Sequence, residues 1–288
     1  MNRHVVFGTG QVGHLLATEL VARGHDVVTV NRGGRGSFPG AQVVGGDATD
    51  PAFTTEVCTG ADIVYFCLNA MNYQHWTQEF PPLQRGVLTG AASTNARLVV
   101  LDNLYAYGPP RGQRLVETMA ANPTSAKSAT RAAMTEELLA AHAAGQLEVV
   151  IGRASDYFGP GATRSALGET VFGPALAGKT AQVMGDPDQP HSYSYTPDVA
   201  RALITLGTAS GYDRADLAPA HRRDPHQPPG HRGRVRAGRS PAQDHGRRPD
   251  DPARHRPVQA AAARVPAHHL PVHRTVDRRR QPVPRRLR

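Results

Sequence analysis

Through the first 212 residues, short continuous apolar runs alternate with segments whose apolar residues recur every three or four positions. Residues 4–7 are the first such run, and it ends in Gly8-Thr9-Gly10. Residues 11–23 follow with Val12, Leu15, Leu16 and Leu20 at helical spacing and stop at Gly24. Further strand-like runs occupy residues 26–30, 42–44, 62–68, 97–101 and 147–151. Helical patterns occupy 77–94, 125–144 and 197–206. Pro81 and Pro82 predict a delayed start for the first of these, because proline removes a helix donor and crowds the preceding turn. Pro197 sits early in the last, where proline is tolerated. Uninterrupted Val/Ile/Leu strands separated by helices predict a parallel sheet covered on both faces.

The pattern ends near Gly211. Residues 213–288 contain 12 Pro, 8 His and 19 Arg, but no Phe, Tyr, Trp, Ile or Met. Such a composition buries too little apolar area to offset its chain entropy, so a disordered tail is expected. The 19 Arg face only 7 Asp, a net of +12, whereas the whole chain carries +9. Residues 1–212 are therefore mildly acidic, and the basicity belongs to the tail. Lacking Lys and interleaved aromatics, that tail is a poor nucleic-acid arm. It reads instead as a shifted frame. GC-rich codons for residues 213–221, read one nucleotide later, give Thr-Gly-Arg-Thr-Trp-His-Leu-Pro-Thr. Those for residues 271–277 give Pro-Phe-Thr-Glu-Pro-Trp-Ile in the same frame. The frame is expected to slip near residues 207–213, leaving the substrate region truncated.

The remaining composition narrows the setting. No run of 18 apolar residues exists, so no transmembrane helix is expected. The start of the chain lacks the zones of a signal peptide. Cys58 and Cys67 lie in or beside apolar stretches and read as reduced core thiols of a cytoplasmic protein, with no metal-type spacing.

Gly8-Thr9-Gly10-Gln11-Val12-Gly13 is a G-x-G-x-x-G placed between a predicted strand and a predicted helix. In that context Gly8 permits a tight turn, Gly10 admits a pyrophosphate, and Gly13 lets the helix approach the sheet. The phosphates would sit on free N–H groups at the positive helix end. The expected fold is therefore α/β, a Rossmann-type doubly wound parallel sheet. Residues 1–155 would form the cofactor-binding domain. Residues 156–212 would form a small substrate region whose helix returns to the first domain. After the second strand an NAD site wants an acid, but the chain has Asn31-Arg32. A guanidinium suits a 2′-phosphate, so NADP(H) is the preferred cofactor and NAD(H) the other candidate.

Together these residues resemble the extended and atypical short-chain dehydrogenase/reductase superfamily, close to its NAD-dependent epimerase/dehydratase-like members. The resemblance runs over residues 3–212. It includes the glycine loop, Gly46-Asp47-Ala48, Leu68-Asn69-Ala70, the segment from Leu101 to Gly108, the segment from Arg153 to Gly161, and Tyr195-Thr196-Pro197-Asp198. It implies cofactor contacts from Asp47, Ala48, Leu68, Asn69, Ala70 and Lys127, and a homodimer paired through helices on the sheet. It also implies a Tyr-x-x-x-Lys pair for proton transfer. Here Lys127 is preceded four residues earlier by Pro123, and Asp102 and Asn103 stand where family serines fall.

Tyr105 and Tyr107, at the end of a central strand, are the candidate acid/base phenols with Lys127. Asp156, Tyr157, His191 and Tyr193 are the candidate substrate residues, since mixed polar and aromatic groups suit a hydroxylated ligand. Two functions fit. One is hydride transfer to or from a small carbonyl or hydroxyl substrate, and the other is non-catalytic NADP(H) sensing of the NmrA type.

Overall fold

The computed structural model describes residues 1–209 except 71, 73 and 184–189, together with Ala218–Pro219 and Gly238–Arg239. The chain divides into two units, Met1–Asp251 and Pro252–Arg288, and every described residue belongs to the first.

Six parallel strands form the sheet: β1 (Arg3–Phe7), β2 (Asp26–Asn31), β3 (Gln42–Gly45), β4 (Ile63–Phe66), β5 (Arg97–Asp102) and β6 (Val149–Arg153). Their spatial order is β3-β2-β1-β4-β5-β6. The order reverses between β1 and β4, and doubly wound sheets open a ligand crevice at that point, beyond the carboxyl ends of the strands. Helices α1 (Gly13–Ala22), α2 (Pro51–Cys58), α3 (Trp76–Ser93) and α4 (Ala126–Ala143) connect the strands, and α6 (Thr196–Thr208) returns to the sheet. Two apolar layers result. Val5, Phe7, Val64 and Phe66 lie in the layer with Phe80, Val87 and Leu138, and Val6, Tyr65 and Val99 lie in the other with Leu16, Leu20 and Leu203. Strands apolar on both faces are thus buried on both faces.

Between β6 and α6, β7 (Asp156–Phe158) pairs in parallel with β9 (Tyr193–Tyr195), while α5 (Phe172–Leu176) and β8 (Gln182–Val183) lie between them in sequence. Arg97 closes the far end of α6. Its Nη1 donates to the carbonyls of Leu206, Gly207 and Ala209, which the helix end leaves without partners.

Some expectations need correction. α3 starts at Trp76, ahead of Pro81 and Pro82, rather than after them. The start is anchored by Trp76 and Phe80, both buried with rings 4.9 Å apart, and by the Trp76 indole donating to Asn69 Oδ1 at 2.7 Å. That burial offsets the two missing donors. β6 extends to Arg153, which draws a charged residue into the sheet edge. α2 carried no strong period, but Asp50 caps it by accepting from Ala52 N, and Pro51 opens it.

The tail expected to be disordered lies outside the described residues, apart from two dipeptides. Ala218–Pro219 pairs with β6, and Gly238–Arg239 pairs with β8. Among the described residues no helix is long and apolar enough to cross a membrane.

Candidate cofactor and substrate crevice

The glycine loop leaves β1 at the crevice, and each of its glycines meets a different constraint. Gly8 has φ +100°, and a Cβ there would lie 2.6 Å from the Cys67 carbonyl. At Gly13 a Cβ would lie 1.9 Å from the Gly8 carbonyl, so only glycine lets α1 start this close to the sheet. Gly10 differs: a Cβ there would meet nothing within 4 Å. No packing demand explains that glycine, and what its bareness preserves is open space above the start of α1. α1 has no side-chain cap and no acid in its first turn, so its N-terminal N–H groups suit an anion. Thr9 and Gln11 are half-buried beside this space, and Val12 is buried beneath it.

At the end of β2 the Asn31 side chain organises the next turn. Its Oδ1 accepts from Gly33 N and Arg35 N, both at 3.2 Å, and its Nδ2 donates to the Arg35 carbonyl at 2.8 Å. Arg32 and Arg35 project from this turn and are exposed. Asp47 faces the same region. Its carboxylate is held below the usual range by the Thr49 backbone N–H, then by the Thr49 hydroxyl, with a smaller contribution from the Arg32 charge. Ala48 is buried, and its carbonyl packs on Gly86 of α3.

Beyond β4, Asn69 is locked by Trp76 and by the Ala70 N–H, while Leu68 and Ala70 pack against the core. Both cysteine thiols are free, and burial pushes each up to about 12.

The end of β5 holds a buried ionic cluster that sequence reading missed. Asp102 accepts from Arg131 of α4 and, at 3.0 Å, from Nε of Arg153. Arg153 also donates to the Tyr107 hydroxyl at 2.6 Å and lies over its ring. Arg131 lies over the Phe80 ring, and burial pushes its guanidinium down to about 10. Two guanidiniums thus face one carboxylate. Among the described residues, Nε and Nη1 of Arg131 have no hydrogen-bond partner.

Tyr107 is 5% exposed, and its hydroxyl accepts from Arg153 as part of this cluster. Tyr105 begins the same 3₁₀ turn, Tyr105–Tyr107, and is 44% exposed. That turn packs against α4, whose first turn carries Lys127 behind the Ser125 cap. Asp102, Arg131 and Arg153 come from three separate elements, so no local spacing announces the cluster.

Past β6 the chain re-enters the crevice. A Cβ at Gly161 would lie 3.5 Å from the Gln11 Cα, so this loop borders the glycine loop. The Tyr157 phenol is pushed up by burial and by Cys67, while Arg131 acts in the opposite direction and Tyr105 is a further electrostatic neighbour. Tyr157 is half-buried against the apolar layer that holds Val6, Tyr65 and Val99. Asp156 points elsewhere, to His191, with Oδ2 to Nε2 at 2.8 Å. The His191 ring packs on Tyr193, 4.6 Å between centroids. Ser155 and Ser194, hydroxyls 2.8 Å apart, tie the two strands together. Asp156, His191 and Tyr193 thus meet in one cluster, while Tyr157 packs apart from them against the sheet. Among the described residues no group of three or more His, Cys, Asp or Glu could hold a metal.

The strand order and the glycine loop define a dinucleotide-binding α/β protein. The chain belongs to the NAD dependent epimerase/dehydratase family, whose model matches residues 5–214. No curated protein matches it by sequence. Several solved structures do match. The Bordetella bronchiseptica enzyme WbmH, in complex with NAD+, is 22% identical with a TM-score of 0.62, covering 73% of each chain. The UDP-N-acetylglucosamine 4-epimerase from Methanobrevibacter ruminantium, in complex with UDP-N-acetylmuramic acid, is 18% identical with a TM-score of 0.65, covering 73% of this chain and 74% of its own. The dTDP-glucose 4,6-dehydratase from Bacillus anthracis, in complex with NAD, is 16% identical with a TM-score of 0.66, covering 76% and 75%. At these identities the likeness is one of fold.

Proposed function

We propose that this chain binds NADP(H) and transfers hydride to or from a small hydroxyl or carbonyl substrate, as an oxidoreductase or epimerase/dehydratase-type enzyme. The observation that carries this reading is the unneeded bareness of Gly10 above an uncapped helix start. A pyrophosphate fits there, on the α1 N–H groups. Arg32, on a turn pre-organised by Asn31, would take the 2′-phosphate, and Asp47 would border the adenosine. Asn69 and Lys127 would hold the nicotinamide half. When bound, the cofactor supplies the hydride donor or acceptor.

Tyr105, Tyr157, Asp156, His191 and Tyr193 would line the substrate space. They offer hydroxyl, carboxylate, imidazole and aromatic surfaces, which suits a hydroxylated ligand. Three similar structures hold UDP-sugar-type ligands by their own descriptions, which makes nucleotide sugars sensible first probes. One buried and one half-buried free thiol suit a reducing, cytoplasmic setting.

Pro123, four residues before Lys127, favours a second reading, a cofactor-binding sensor without turnover. Substrate-dependent change in NADPH absorbance separates the two. Turnover of any probe supports the enzyme, whereas binding without turnover supports the sensor.

A further inference from the structure

The family's proton-transfer phenol is absent at position 123, and Tyr107 is committed to Arg153. We infer that Asp156 and His191 form the proton-transfer dyad of this protein in its place. The inference rests on the hydride-transfer reading above.

Three observations carry it. First, the pair is aligned by backbone. β7 and β9 are in register with Asp156 opposite Tyr193, so His191, two residues before Tyr193, reaches back to Asp156. The Ser155–Ser194 contact and the Thr196 hydroxyl donating to the Pro160 carbonyl fix that register. Second, the ring has a carboxylate on one nitrogen and an aromatic face beside it. Asp156 on Nε2 favours the tautomer with its proton there, leaving Nδ1 as an acceptor, which is the arrangement a general base needs. Third, stability does not account for the pair. The two side chains are 50% and 46% exposed, and ion pairs this open contribute little to folding. Asp156 lies three residues past Arg153, the carboxyl end of β6, and the segment it opens borders the glycine loop where Gly161 meets Gln11, so the dyad stands at the crevice end of the sheet.

The step balances. On oxidation, the substrate carbinol C–H bond breaks with its electron pair passing to NADP+. The O–H bond breaks with its proton passing to His191 Nδ1, and a carbonyl forms. Reduction reverses each transfer. Asp156 exchanges no proton with the substrate and acts on His191 as a positioning residue. Among the described residues, Tyr193 and Asp156 are the titratable groups that face the imidazole from β9 and β7.

The test uses the full chain with NADP(H) and a probe panel of UDP-glucose, UDP-N-acetylglucosamine and small ketones. His191→Asn is expected to keep the NADPH Kd and to lose about 100-fold or more in turnover, in the range of general acid–base catalysis. Free imidazole is expected to restore part of that loss, which a merely structural histidine would not allow. In 15N NMR the neutral ring of the wild type should carry its proton on Nε2, and Asp156→Asn should weaken that preference. Wild-type turnover in His191→Asn, or loss in Tyr105→Phe with His191→Asn spared, overturns the dyad alone. NADPH binding with no probe turned over overturns the enzyme reading and the dyad's role with it. Failure to bind NADPH overturns the cofactor site itself.

Discussion

Asp102 accepts a 3.0 Å hydrogen bond from Nε of Arg153, and both side chains are buried at the carboxyl end of the central sheet. Here one carboxylate faces two buried guanidiniums, those of Arg131 and Arg153. Breaking a buried pair by removing one partner leaves a charge uncompensated. Asp102→Ser is therefore expected to destabilise the fold by about 3–5 kcal/mol, read from urea denaturation. A loss under about 1 kcal/mol would show that the cluster is not the support described.

The glycines of the loop should separate fold from binding. Gly13→Ala places a methyl 1.9 Å from the Gly8 carbonyl and should lower the Tm sharply. Gly10→Ala meets no protein atom and should leave the Tm near wild type while weakening NADPH binding. Equal binding by Gly10→Ala and wild type would remove Gly10 from the phosphate site.

His4 sets an acid limit on stability. It is fully buried in β1, edge-on to His25 at 4.4 Å and stacked on Tyr65 at 5.8 Å. Among the described residues, neither of its nitrogens has a hydrogen-bond partner. Burial and then the His25 charge push it down to about 4, against the opposing pull of Asp62 and Asp26. The unfolded chain binds a proton at His4 near pH 6.5, before the folded one does. This contribution to stability is therefore complete above about pH 6.5 and is lost progressively toward pH 4, by up to about 3 kcal/mol. Urea midpoints across that range should fall for wild type and fall less for His4→Phe; parallel curves would contradict this.

The strands, the long helices and the glycine loop were legible because burial on both sheet faces leaves unbroken Val/Ile runs, and because close helix–strand approach demands glycine. Residues that meet only in three dimensions were not legible. Asp102, Arg131 and Arg153 come from three elements, and nothing in their local spacing announces a cluster. The Asp156–His191 pair depends on the β7–β9 register across 35 residues. The start of α3 was misplaced because local proline chemistry was outweighed by the burial of Trp76 and Phe80.

The family match ends at residue 214, yet 74 residues follow, and about a quarter of the length of each similar structure lies outside the shared part. Reading the gene one nucleotide later from codons 207–213 is expected to give an open frame rich in aromatics. Stop codons within the next 70 positions of that frame would contradict the shift.

The central claim is that Arg32 and the glycine loop build an NADP(H) site, and a fluorescence titration of the full chain with NADPH and, separately, NADH tests it most directly. NADPH is expected to bind about 10- to 100-fold tighter than NADH, the range expected when a charged hydrogen-bonded pair is gained. Arg32→Ala is expected to abolish that preference while sparing NADH. NADH binding as tight as NADPH would contradict the role of Arg32, and binding of neither would contradict the cofactor site.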